Sequence, residues 1–102
     1  MTGTIDLSAE AMAIVTAILR TYLSSDTRAW AFGSRTTGTA RRYSDLDLAL
    51  QAPTPIDLGV LADITDALSE SDLPIKVDVI DLRAVEPRFR ALIERDLLPL
   101  SF

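Results

Sequence analysis

Two aspartates one residue apart, in Ser44-Asp45-Leu46-Asp47-Leu48, are the side chains of this sequence best placed to do chemistry. On an extended strand each residue advances ~3.4 Å, so Asp45 and Asp47 share a face with Cα atoms about 6.8 Å apart. Divalent ions ~3.5–4 Å apart, as used in phosphoryl and nucleotidyl transfer, are bridged by carboxylates at such a spacing. Asp78, in Val77-Asp78-Val79, supplies a third carboxylate if its strand pairs with the first and both polar faces lie on the same side. Two unit charges 4 Å apart repel by roughly 4 kcal/mol at an effective dielectric near 20, so three converging carboxylates require a cation. Magnesium meets that requirement, because it takes hard oxygen ligands and binds through one or two carboxylates plus substrate phosphates.

The alternation is ambiguous by itself, since a half-buried strand with a solvated acidic face looks the same. Gly33-Ser34 adds a second feature at the end of the preceding apolar run. Glycine lets a backbone approach a ligand closely, and exposed N–H groups with a serine hydroxyl hold phosphate oxygens. A strand-ending turn would carry the same two residues. Arg35, Arg41 and Arg42 suit phosphate contacts and equally suit a solvated loop.

These residues need elements to position them. Ser8 caps a helix in which Met12, Val15, Ile18, Leu19, Tyr22 and Leu23 recur at three- and four-residue steps, running to about Ser24. Arg28 to Phe32 reads as a short buried strand, and residues 34–43 as a polar loop with room for one helical turn. Asp45 to Leu50 is a second strand with Leu46, Leu48 and Leu50 on one face and both aspartates on the other. Leu58, Leu61, Ile64 and Leu68 form the stripe of a second helix ending near Ser71. Ile75 to Leu82 is a third strand with Asp78 at its middle. Glu86-Pro87 opens a last helix with Phe89, Leu92 and Ile93 facing inward, and residues 97–102 form an apolar tail. This order gives an α+β class: a small mixed sheet backed by helices on one face, in one domain over residues 1–102.

Composition narrows the chemistry. The chain has neither cysteine nor histidine, which excludes Cys-His and Ser-His-Asp catalysis, thiolate metal sites and a histidine base. Carboxylates remain. Absence of cysteine also fits a reducing cytoplasm. Fifteen acidic residues against ten basic give a net charge of −5, so direct nucleic-acid binding is not expected. No apolar run reaches the ~20 residues that cross a bilayer, and the first residues lack the basic start of a signal peptide. A hydrophobic content of 48% is generous for 102 residues and leaves apolar surface for a partner.

Gly33-Ser34-Arg35-Thr36-Thr37-Gly38 followed by Ser44-Asp45-Leu46-Asp47-Leu48 resembles, in spacing and residue type, the signature of the minimal nucleotidyltransferases of the DNA polymerase β-like superfamily. The likeness extends to Asp78 and, more loosely, to the leading helix and the Arg90 to Leu100 ending. It implies the polymerase β-like palm fold and a magnesium-dependent adenylyl transfer from ATP. By that resemblance Asp45 and Asp47 coordinate two Mg²⁺ ions, Asp78 ligates the catalytic one and helps deprotonate the attacking hydroxyl, and Gly33 and Ser34 hold the triphosphate. Small members of this family resemble antitoxins that pair, as hetero-oligomers, with a HEPN ribonuclease toxin. Two modes of neutralisation follow: transfer of AMP to a hydroxyl of the toxin, a tyrosine in some cases, or simple covering of the toxin without catalysis.

Overall fold

The structure, a computed structural model, describes residues 4–102. The first three residues of the expected domain, with the start of the segment read for a signal peptide, lie outside the described residues. Helix α1 (Ala9–Tyr22) starts where expected, because the Ser8 hydroxyl accepts from the Ala11 N–H at 3.1 Å. It stops two residues before Ser24. Leu23 is already extended, and the Ser24 hydroxyl bonds Asp26 instead, the local alternative that serine and aspartate offer a helix backbone.

Strands β1 (Arg28–Phe32), β2 (Leu46–Gln51), β3 (Val77–Asp81) and β4 (Leu98–Leu100) form one mixed sheet in the order β3-β2-β1-β4. β1 runs antiparallel to both β2 and β4, whereas β2 and β3 are parallel. A parallel pair demands a crossover, and helix α3 (Leu58–Glu70) supplies it. A single helical turn, α2 (Ser34–Thr37), follows β1 within the segment expected to be mostly loop.

Leu46, Leu48 and Leu50 are fully buried with Val15 and Leu19 of α1 and Ile64 and Leu68 of α3. Each such side chain contributes roughly 1.5–3 kcal/mol by leaving water. A one-residue slip of β2 would turn all three out of this core and bury Asp47 in it, so the leucines fix which way the aspartates point.

Helices were expected on one face of the sheet, and α1 and α3 lie there. Helix α4 (Pro87–Glu94) belongs to the other face, where Ile93 packs with Phe32, Ala49 and Leu82, and Phe89 meets Phe32 edge-on at 6.3 Å. Phe89 and Ile93 are four residues apart and share one helical stripe. Leu92 stands off that stripe and is 63% exposed, contrary to the expected inward position. Leu58, at the first turn of α3, is likewise 82% exposed. The apolar tail contains a strand: Leu98 and Leu100 pair with Ala31 and Ala29. Pro99 sits between them, which only an edge strand tolerates.

Candidate active site

β2 and β3 meet in a register that sets Asp47 directly against Asp78, on the sheet face opposite the leucines. Neighbouring strands lie ~4.8 Å apart, so the two carboxylates are lateral neighbours. Asp45 is exposed and immediately precedes β2, one residue later than the strand was expected to begin. Its charge nevertheless acts on Asp47. Burial first, then repulsion from Asp78 and from Asp45, holds the Asp47 carboxyl above the usual aspartate range, while Lys76 opposes the effect. Lys76 also reaches Asp78, Nζ to Oδ1 at 3.5 Å, between two exposed side chains.

Gly33 closes against this group from β1, whose last residue, Phe32, pairs with Asp47. Its φ of 82° and ψ of −156° belong to a region essentially restricted to glycine. A Cβ there would stand 2.5 Å from Asp47 Oδ2. Ser34 opens α2 and is half-buried, and its hydroxyl has no hydrogen-bond partner among the described residues. Gly38, at φ 80°, ends the turn, and its N–H returns to the Ser34 carbonyl.

Among the described residues no three carboxylates converge closely enough to enclose an ion by themselves. The donor set still fits a hard divalent cation: carboxylate oxygens, and a mutual repulsion that a cation relieves. The family model described as Polymerase beta, Nucleotidyltransferase matches residues 15–98, a span that contains every residue of this site. The chain belongs to that nucleotidyltransferase family.

Relatives agree with that membership. The chain is 43% identical over 91 residues to the probable protein adenylyltransferase MntA of Haemophilus influenzae, covering 89% of this chain and 79% of that protein. A toxin-antitoxin crystal structure with AMP-PNP superposes with a TM-score of 0.75 at 26% identity, over 88% of this chain and 72% of the other. A complex of tri-AMPylated Shewanella oneidensis HEPN toxin with MNT antitoxin gives 0.68 over 90% and 70%, a likeness of fold at 22% identity.

Not every candidate residue of this nucleotidyltransferase faces the site. Arg35 points inward and is only 6% exposed. Its guanidinium donates to the carbonyls of Ser44 (3.0 Å), Asp6 (2.7 Å), Arg42 (3.1 Å) and Arg41 (3.4 Å). The reading of Arg35 as a phosphate contact is therefore corrected: it is buried, and four of its five N–H donors tie residues 41–44, just before Asp45, to α2 and the N-terminal segment. Ser44 serves the same loop, its hydroxyl accepting from the Arg41 N–H at 2.8 Å. Arg41 and Arg42 are exposed, and Arg42 stacks over Tyr43 at 5.3 Å from the ring centroid.

Two other residues escaped the sequence reading. Buried Asp81 accepts from the Ile56 and Arg83 N–H groups, both at 2.9 Å, and so fixes the entry to α3 against the end of β3. Lys76, beside Asp78, carried no motif. Because a lysine ammonium cannot span four carbonyls, Arg35→Lys is expected to lower the unfolding free energy by about 2 kcal/mol. Urea titration checks this as a lower midpoint at constant m-value. An unchanged midpoint with weakened ATP binding would return Arg35 to the phosphates.

Proposed function

We propose that this nucleotidyltransferase transfers AMP from ATP to a hydroxyl, a tyrosine hydroxyl by preference, of a HEPN-type ribonuclease toxin and thereby neutralises it. The observation that carries the reading is the pairing of Asp47 with Asp78 beside Gly33, three groups from three strand ends gathered on one face. The acceptor class is supported by the 43% identity to MntA and by the toxin-antitoxin complexes that share the fold.

In this reading Asp45, Asp47 and Asp78 would hold two magnesium ions, and Gly33 and Ser34 would bind the triphosphate of ATP. Bound magnesium supplies charge neutralisation on the phosphates and orientation of attacking and departing oxygens. The acceptor oxygen bonds to the α-phosphorus while the bond from that phosphorus to the bridging oxygen of the β-phosphate breaks. Pyrophosphate leaves, and the hydroxyl proton passes to the Asp78 carboxylate. Gly33, lacking a side chain, lets the phosphates approach the backbone next to Asp47. Position and charge carry the catalysis, a mode that needs neither histidine nor cysteine, both absent from the chain.

Residence in the cytoplasm belongs to the same proposal and is supported by the absence of cysteine. Among the described residues no helix is long and apolar enough to cross a membrane.

Incubation with the toxin, magnesium and α-labelled ATP should add AMP mass to the toxin. Asp45→Asn with Asp47→Asn should abolish the label, and chelation of magnesium should do the same. Persistent labelling by the double variant would overturn the site. Full protection of cells by that variant would assign neutralisation to binding alone.

A further inference from the structure

β3 forms one edge of the sheet, with no strand paired on its outer side. Leu46 N–H donates to the Lys76 carbonyl at 2.9 Å, and Leu82 N–H to the Leu50 carbonyl at 2.8 Å. These two bonds set the parity: the backbone groups of Lys76, Asp78, Ile80 and Leu82 turn toward β2. Those of Val77 and Val79 turn outward, and no group among the described residues bonds to them. Natural sheets blunt such edges with proline, lysine or bulges, as Pro99 does on β4 at the opposite edge. Between Val77 and Asp81 there is no such device.

A groove of about 300 Å³ runs beside this edge, between α3 and β3, its lining including Thr65, Leu68 and Ser69 from the helix and Lys76, Val77 and Asp78. The carboxylate of the proposed active site is therefore also a wall of the groove. The segment that leads through α3 into this edge is acidic. Residues 57–78 hold six acidic side chains against Lys76 alone, a net −5 that equals the charge of the entire chain. Asp63, Asp66 and Glu70 are all exposed on α3.

We propose that the acceptor docks as an extended, basic segment added as a fifth strand along the outer edge of β3. The inference rests on the transfer reading for the identity of the acceptor. Such a strand lies ~4.8 Å from β3 and pairs its N–H and C=O groups with those of Val77 and Val79. Its side chains alternate between the two faces. Those on one side enter the groove under α3, which has room for an aliphatic or aromatic side chain. Those on the other side join the face that carries Asp47 and Asp78. A side chain directly opposite Asp78 has its Cβ about 4.5–5.5 Å from that of Asp78, so a hydroxyl there is presented to the carboxylate that takes its proton. Lysine or arginine residues flanking that hydroxyl meet the acidic side chains of α3, which favours encounter and fixes register. The sheet edge itself thus orients the substrate.

The test uses the intact chain with the HEPN-type toxin. Of the backbone hydrogen-bonding groups Val79→Pro removes only an outward N–H and spares the ladder to β2, while Thr65→Trp fills the groove from an exposed helix position. Toxin should slow exchange of the Val77 and Val79 amides about tenfold or more. Both variants should lose AMP transfer by roughly tenfold while ATP affinity stays within about twofold of wild type. If the proline prevents folding, Thr65→Trp decides alone. Unchanged exchange at the two amides in a complex with toxin overturns the proposal, as does failure of any complex to form or full transfer by the variants. Edge protection in a complex that transfers no AMP upholds the docking surface and removes the transfer reading, so the two claims fail separately.

Discussion

Asp47→Asn should raise the thermal midpoint of the metal-free protein while lowering AMP transfer roughly a thousandfold, about 4 kcal/mol of transition-state stabilisation. The two effects share one cause. Asp47 is held above the usual aspartate range by burial and by the charges of Asp78 and Asp45. An amide keeps the shape and removes the charge. Allowing for solvent screening at a partly exposed group, the relief is about 0.5 kcal/mol, or about 2–4 °C for a chain of this length. The sign depends on pH. The folded state binds this proton more readily than the unfolded state, so the penalty is absent in acid, below the usual aspartate value, and grows as pH climbs through the raised one. The gap between variant and wild type is therefore widest near neutrality and closes on acidification. Magnesium should reverse the ranking, since a ligand at a hundred times its Kd adds about 2.7 kcal/mol to the wild type, which the variant loses. Calorimetry at two pH values, with and without magnesium, reads all of this. A lower midpoint for the metal-free variant at neutral pH would show that the carboxylate stabilises the fold, and the strained-site account would then fail.

The same residues show what a sequence can and cannot carry. β2 is legible because Leu46, Leu48 and Leu50 alternate with Asp45, Asp47 and the small Ala49, and a slip would bury charge. The outward side of Asp47 is legible for that reason, whereas Asp45, Gly33-Ser34 and Asp78 are candidates through the family signature. That Asp78 lands opposite Asp47, not one residue up or down, is a matter of register between strands separated by a helix, and alternation does not set it. β4 is hidden because Pro99 reads as a breaker, although its place at an edge removes the objection. Arg35 is hidden more thoroughly. Its partners are four backbone carbonyls, and carbonyls leave no trace in a sequence, so a buried clamp and a solvated loop arginine look alike. Leu92 misleads in the opposite direction: of the three apolar residues expected to face inward from α4, Ile93 alone is buried, Phe89 is 40% exposed and Leu92 63%.

Gly33→Ala tests the contact that joins β1 to the carboxylates. The backbone there is in a glycine-only region, which costs an alanine about 1–3 kcal/mol, and the new methyl would stand 2.5 Å from Asp47 Oδ2. A total near 2 kcal/mol lowers the midpoint by about 8–16 °C in a chain of this size. Transfer should fall further than stability implies, because the methyl either displaces the Asp47 carboxylate or occupies the space where phosphate approaches the backbone. Strain and collision are separable by a cycle. In an Asp47→Ala background the obstructing oxygen is gone, so the same Gly33→Ala change should cost only the backbone term, and the difference between the two backgrounds should be about 1 kcal/mol. An identical loss in both would mean that the backbone conformation alone requires glycine and that Asp47 merely lies nearby. A coupling of the expected size would instead tie the glycine to the carboxylate, and explain why a residue with no functional group belongs to a site built from charges.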